Sequence, residues 1–130
     1  MPVVALVVDD SMVIRHCISR FLEERGFAVE SASNGVEALA VADRVRLGLI
    51  ITDIRMPTMG GSELITALKN SPQTADVPIV VLTGHSSGFD RKESRAQFTI
   101  FKDIDIQEQL ERALAALTAA GVDRGQGSAR

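Results

Sequence analysis

The sequence has little that oxidises and little that stacks. Cys17 is the single cysteine in 130 residues, so no disulfide can form within the chain and a cysteine-rich zinc site is excluded. A reducing, cytoplasmic compartment is the expectation. Trp and Tyr are absent and five Phe are the only aromatics, which leaves few stacking platforms for single-stranded nucleic acid. Excess positive charge is missing too. The formal net charge is −3, so direct binding to nucleic acid or to an anionic membrane is not expected. The N-terminal apolar run VVALVV (3–8) stops at two acids. It is too short for a signal-peptide core or a bilayer span.

What is present suits one folded domain. The chain is 45% hydrophobic, enough for a single core. Val3–Val8 is a continuous run rich in β-branched valine, the pattern of a strand buried on both faces. Asp9, Asp10 and Ser11 come next. Ile14, Cys17, Ile18, Phe21 and Leu22 then share one helical face, and Gly26 is placed to end that helix. Phe27–Ser31 reads as a second strand, and Asn34 as the cap of a second helix carrying Val36, Leu39 and Ala40. Leu47–Thr52 is the third strand. A helix over Ser62–Asn70 turns Leu64, Ile65 and Leu68 inward. Ile79–Leu82 and Phe98–Phe101 are the fourth and fifth strands. Asp105 with Glu108 three places later starts a last helix with Leu110, Ala113, Leu114 and Leu117 on its apolar face. The expected organisation is a domain over residues 1–120 and a flexible polar tail over 121–130. Alternating strands and helices predict an α/β fold, a doubly wound five-stranded parallel sheet.

In such a sheet ligands lie beyond the carboxyl ends of the strands. Those ends carry Asp9 and Asp10, then Asp53, then Thr83 with Gly84, then Lys102. Taken singly, each has an ordinary explanation. The first acids suit a helix N-terminus, and Asp53 suits a turn. Thr83 is a strand-end threonine, and Lys102 a surface lysine. Taken together they form an acidic cluster with one hydroxyl and one ammonium. An all-oxygen donor set favours Mg²⁺ over zinc or copper. A cation and a lysine beside a carboxylate suit phosphoryl transfer by positioning and charge neutralisation, with Asp53 as nucleophile.

VVDDS, IITDIRMPTMGG, VVLTG and IFK stand in this order between residues 7 and 102, within a resemblance that covers about residues 3 to 118. The ordered set resembles the response-regulator receiver domain, similar to single-domain chemotaxis regulators with a flavodoxin-like fold. The resemblance implies that Asp53 is the phosphoacceptor and Asp10 a direct Mg²⁺ ligand, with Asp9 acting mainly through metal-bound water. It makes the backbone carbonyl of Arg55 a further ligand. Thr83 would donate its hydroxyl to the phosphoryl group and Lys102 would pair with it. The implied partners are a sensor histidine kinase or a histidine phosphotransfer protein, and an unknown downstream protein target.

Three departures from the family pattern carry expectations. Asp103 stands after Lys102 where the family has proline, so a trans Lys102–Asp103 bond and a changed loop are expected. Thr99 occupies the usual Tyr or Phe position, and Phe98, its neighbour, faces the opposite side of the strand. The stretch from Thr83 to Lys102 is short and GHSSGFDRKESRAQ has little apolar periodicity, so the fourth helix should be short, mobile or absent. Arg55 and His85 are candidates for tuning hydrolysis of the phosphoryl group. Two other function classes compete. A pseudo-receiver would be an interaction module that is never phosphorylated. An aspartate-nucleophile phosphatase would need a second acid two places after Asp53, where Arg55 stands. A flavin binder is disfavoured because Asp9 and Asp10 would repel the cofactor's phosphate.

Overall fold

The computed structural model describes residues 3–54, 59, 61–84, 96–102 and 105–119. In chain order the elements are β1 (Val4–Val8), α1 (Met12–Glu23), β2 (Ala28–Ala32), α2 (Gly35–Arg44), β3 (Leu49–Asp53), α3 (Gly61–Lys69), β4 (Ile79–Thr83), β5 (Phe98–Phe101) and α4 (Ile106–Ala119). The strands form one sheet in the order β2-β1-β3-β4-β5, with every pairing parallel. This is the doubly wound, flavodoxin-like order, in which the chain reverses direction across the sheet beside β1. The expected strands are found within one or two residues of their sequence-based limits. The expected fourth helix, between β4 and β5, and the C-terminal tail lie outside the described residues.

Alternation along the strands divides the core into two layers. On one face Ala5, Val7, Leu49, Ile51, Val80, Leu82 and Ile100 pack against Ile18, Phe21 and Leu22 of α1 and against Leu110, Ala113, Leu114 and Leu117 of α4. On the other, Leu6, Val8, Ile50, Ile79 and Val81 pack against α2 and against Leu64, Ile65 and Leu68 of α3. The central strands β3 and β4 are buried along their whole length. Each buried Leu, Ile or Val contributes about 1.5–3 kcal/mol relative to exposure. The middle of the sheet is therefore the rigid base on which the strand ends are held.

The helix boundaries follow from local chemistry. The Ser11 side chain accepts the Ile14 N–H at 3.3 Å and caps α1. Asn34 accepts the Glu37 N–H at 2.9 Å, and the Glu37 carboxylate accepts the Ser33 N–H at 2.8 Å, a reciprocal cap for α2. The Ser33 backbone and hydroxyl donors outweigh the small opposing effect of burial and, with the Arg15 charge, hold the Glu37 carboxyl below its ordinary value. Asp105 caps α4 by accepting the Glu108 N–H at 3.2 Å. One expectation is corrected. Val36 and Ala40 of α2 are exposed and Leu39 is half-buried, whereas Ala38, Val41 and Ala42 face the sheet. Small side chains let this helix lie close to the strands. Close approach also explains Gly35, where an added Cβ would stand 2.7 Å from Met59 Cγ. Met59 thereby docks on the first turn of α2.

After α1 the chain reverses at Gly26, with φ 93°. The Gly26 N–H donates to the Glu23 carbonyl and the Phe27 N–H to the Leu22 carbonyl, each at 3.1 Å. A Cβ is disfavoured in this left-handed conformation. Gly26→Ala is expected to cost about 1–2 kcal/mol, read as a lowered urea midpoint at unchanged m-value. An unchanged midpoint would show that the turn relaxes at no cost.

Candidate functional site

All five strands run the same way, so their carboxyl ends lie along one edge. Register levels them: Val8 is opposite Thr52, Asp53 opposite Leu82, and Thr83 opposite Phe101. Asp9 comes directly after β1, Asp53 and Thr83 are the last residues of β3 and β4, and Lys102 comes directly after β5. The expected convergence therefore forms. One carboxylate oxygen from each of Asp9, Asp10 and Asp53 lies within 4.8 Å of the others. Asp9 is 0% exposed and Asp53 3%, while Asp10 faces solvent.

Lys102 reaches back across the sheet end to the two buried acids. Its Nζ donates to Asp9 Oδ2 at 3.1 Å and to Asp53 Oδ2 at 3.2 Å. Burial pulls the ammonium's pKa down. The hydrogen bond to Asp9, the charges of Asp53 and Asp9 and the bond to Asp53 together outweigh it, so the net shift is upward. Asp9 is fixed further by the turn it begins. Its Oδ1 accepts the Ser11 N–H at 2.8 Å, and its N–H donates to the Ala32 carbonyl at 3.1 Å. Arg15, one turn into α1, donates to the Asp9 carbonyl at 2.7 Å. That contact was not anticipated. A cation one helical turn beyond paired acids was the available signal. Thr83 is buried at the end of β4, and its carbonyl accepts the Lys102 N–H at 2.8 Å.

The donor set fits a hard divalent cation. It is all oxygen, it is partly open to solvent through Asp10, and three formal negative charges face one positive charge. Mg²⁺ is bound through a few carboxylates while keeping several waters, which matches a cluster of three. Arg55, His85 and the Lys102–Asp103 peptide lie outside the described residues. Phe98 packs in the α1/α4 layer with Ile100, and Thr99 alternates to the opposite face, as expected.

Comparison with known proteins agrees with this architecture. Residues 5–114 match the response regulator receiver domain family. The chain belongs to that family. The receiver domain is similar to the response regulator MprA of Mycobacterium sp. (strain KMS), at 34% identity over 131 aligned residues covering 98% of this chain and 56% of MprA. It is also 34% identical to the transcriptional regulatory protein FixJ of Rhizobium meliloti (strain 1021), over 90% of this chain and 59% of FixJ. The chain thus spans little more than half the length of these relatives. Among solved structures, the chemotaxis response regulator CheY4 of Vibrio cholerae is 34% identical, with a TM-score of 0.79 over 90% of this chain and 99% of CheY4. Receiver domains are signalling domains of two-component regulators, and this chain is one of them. Among the described residues no helix is long and apolar enough to cross a membrane.

The receiver domain's Lys102 has a measurable electrostatic role. In metal-free buffer, Lys102→Met should destabilise the fold by about 1–3 kcal/mol, because two buried carboxylates lose a charged donor. Added Mg²⁺ should shrink that deficit. The folded-state pKa lies above the ordinary 10.5, so this contribution is complete below that pH and is lost as pH rises through the folded value. Urea melts of both proteins across pH check this. A difference that already fades near neutrality would contradict the pairing.

Proposed function

We propose that this receiver domain is a phosphorylatable two-component switch with Asp53 as the phosphoacceptor. The convergence of Asp9, Asp10, Asp53 and Lys102 at one sheet edge carries the reading. The Asp53 carboxylate oxygen attacks phosphorus of a phosphohistidine on a sensor kinase or phosphotransfer protein. The bond from phosphorus to the imidazole nitrogen breaks, and that nitrogen leaves with the bonding pair. Asp9, Asp10 and Asp53, with the Arg55 carbonyl, would hold Mg²⁺, which supplies charge neutralisation at the phosphoryl oxygens when bound. The Lys102 ammonium pairs with a phosphoryl oxygen, and the Thr83 hydroxyl donates to another. Crowding of the acids works against holding a dianion. Lys102 acts against that repulsion from the β5 side.

The activity is self-modification and self-dephosphorylation rather than turnover of a free substrate. Residues 1–120 form the signalling domain, with 121–130 as a tail, and the protein acts in the cytoplasm on a downstream protein target. The net charge of −3 supports a protein partner over direct nucleic-acid or membrane binding. The alternative, an interaction module that is never phosphorylated, shares the fold and differs in one observable.

Intact-mass spectrometry after incubation with Mg²⁺ and acetyl phosphate separates the two. One added phosphoryl group is expected, lost with chelator and in Asp53→Asn. No adduct, together with no spectral response to beryllofluoride, would favour the module that is never phosphorylated.

A further inference from the structure

β5 is an edge strand of four residues with β4 as its sheet neighbour, yet it delivers the site's lysine. Edge strands leave backbone donors and acceptors to be covered by other groups. Here one side chain of α4 covers those of Phe101. Gln109 Oε1 accepts the Phe101 N–H at 2.9 Å, and Gln109 Nε2 donates to the Phe101 carbonyl at 2.8 Å. A planar amide bonded twice to one residue restrains both its position and its rotation. The amide is also steadied by its own helix, with Nε2 3.3 Å from the Asp105 carbonyl.

Phe101 is the residue before Lys102. On the opposite side of the strand, the Lys102 N–H donates to the Thr83 carbonyl at 2.8 Å. Gln109 and Thr83 therefore hold consecutive residues from two sides. The lysine side chain leaves from this point and ends 3.1 and 3.2 Å from Asp9 and Asp53. It has many rotamers, so a fixed backbone origin is what makes one ammonium position reproducible.

We infer that Gln109 is a positioning residue for Lys102, setting where the ammonium stands relative to Asp9 and Asp53; this rests on the reading of Asp53 as phosphoacceptor. Gln109 hydrogen-bonds to no residue of the acidic cluster, so its effect travels through the Phe101–Lys102 backbone. A side chain that only covered the strand edge for stability would act the same whether or not a lysine stood at position 102.

A double-mutant cycle on the full chain tests the inference, reading the rate of phosphorylation by acetyl phosphate with Mg²⁺. Gln109→Leu keeps the size of the side chain and removes both bonds. It should slow phosphorylation about tenfold or more. In a Lys102→Met background the same change should alter the rate less than about twofold, because the group it positions is gone. Equal losses in both backgrounds, or no loss in the first, would overturn the assignment. Gln109→Glu, which keeps the acceptor and loses the donor, should fall between and serves where the leucine variant does not fold. A direct readout separates this inference from the proposed function. The side-chain ammonium resonance of Lys102 in the metal-free protein should shift in either variant even where wild type takes no phosphate. An unmoved resonance would reject the positioning role.

Discussion

The site depends on the repulsion between carboxylates brought together at the ends of β1 and β3. At an effective dielectric of about 20, two such charges about 4 Å apart cost roughly 4 kcal/mol. The net stability of a domain is on the order of 5–15 kcal/mol, so this strain has to be met locally. Lys102 meets part of it through paired contacts to Asp9 and Asp53. The rest is a standing attraction for a cation and for groups that carry one. An attraction for a metal ion and an attraction for an anion beside Lys102 would both follow from the same unbalanced charge.

That balance explains why a greasy strand ends on an acid. β3 is buried from Leu49 to Asp53 and sits between β1 and β4, so its last side chain cannot be solvated by the strand itself. Part of its solvation comes from Lys102, directly after β5. The parallel sheet makes this possible because every strand delivers its carboxyl end to the same edge. The two apolar layers hold those ends level. β5 is a short edge strand, and directly after it comes the lysine that pairs with both buried acids. Its end is restrained by Gln109 on one side and Thr83 on the other.

Much of this was legible in the residues. The valine-rich run before Asp9, the buried run before Asp53 and the caps at Asn34 and Asp105 each reflect local physics, and all were found. The placement of Asp9, Asp10, Asp53, Thr83 and Lys102 at one edge of the sheet was legible because parallel strands have to end together. The inward face of α2 was less so. Val36 is more apolar than Ala38, yet Val36 is exposed and Ala38 is buried against the sheet. Arg15 and Gln109 were missed because their bonds go to backbone groups of other elements, which no side-chain pattern announces. A polar amide on the margin of the α4 apolar stripe was the signal available for Gln109.

The central claim is that one particular carboxylate in a cluster of three takes the phosphoryl group. Borohydride reduction after treatment with acetyl phosphate and Mg²⁺, then peptide mapping, reads this directly. Reduction of an acyl phosphate converts that aspartate to homoserine. The account predicts homoserine at position 53 and unmodified Asp9 and Asp10. Homoserine at position 9 or 10 instead would contradict it, because the cluster would then be divided differently between metal and phosphoryl group.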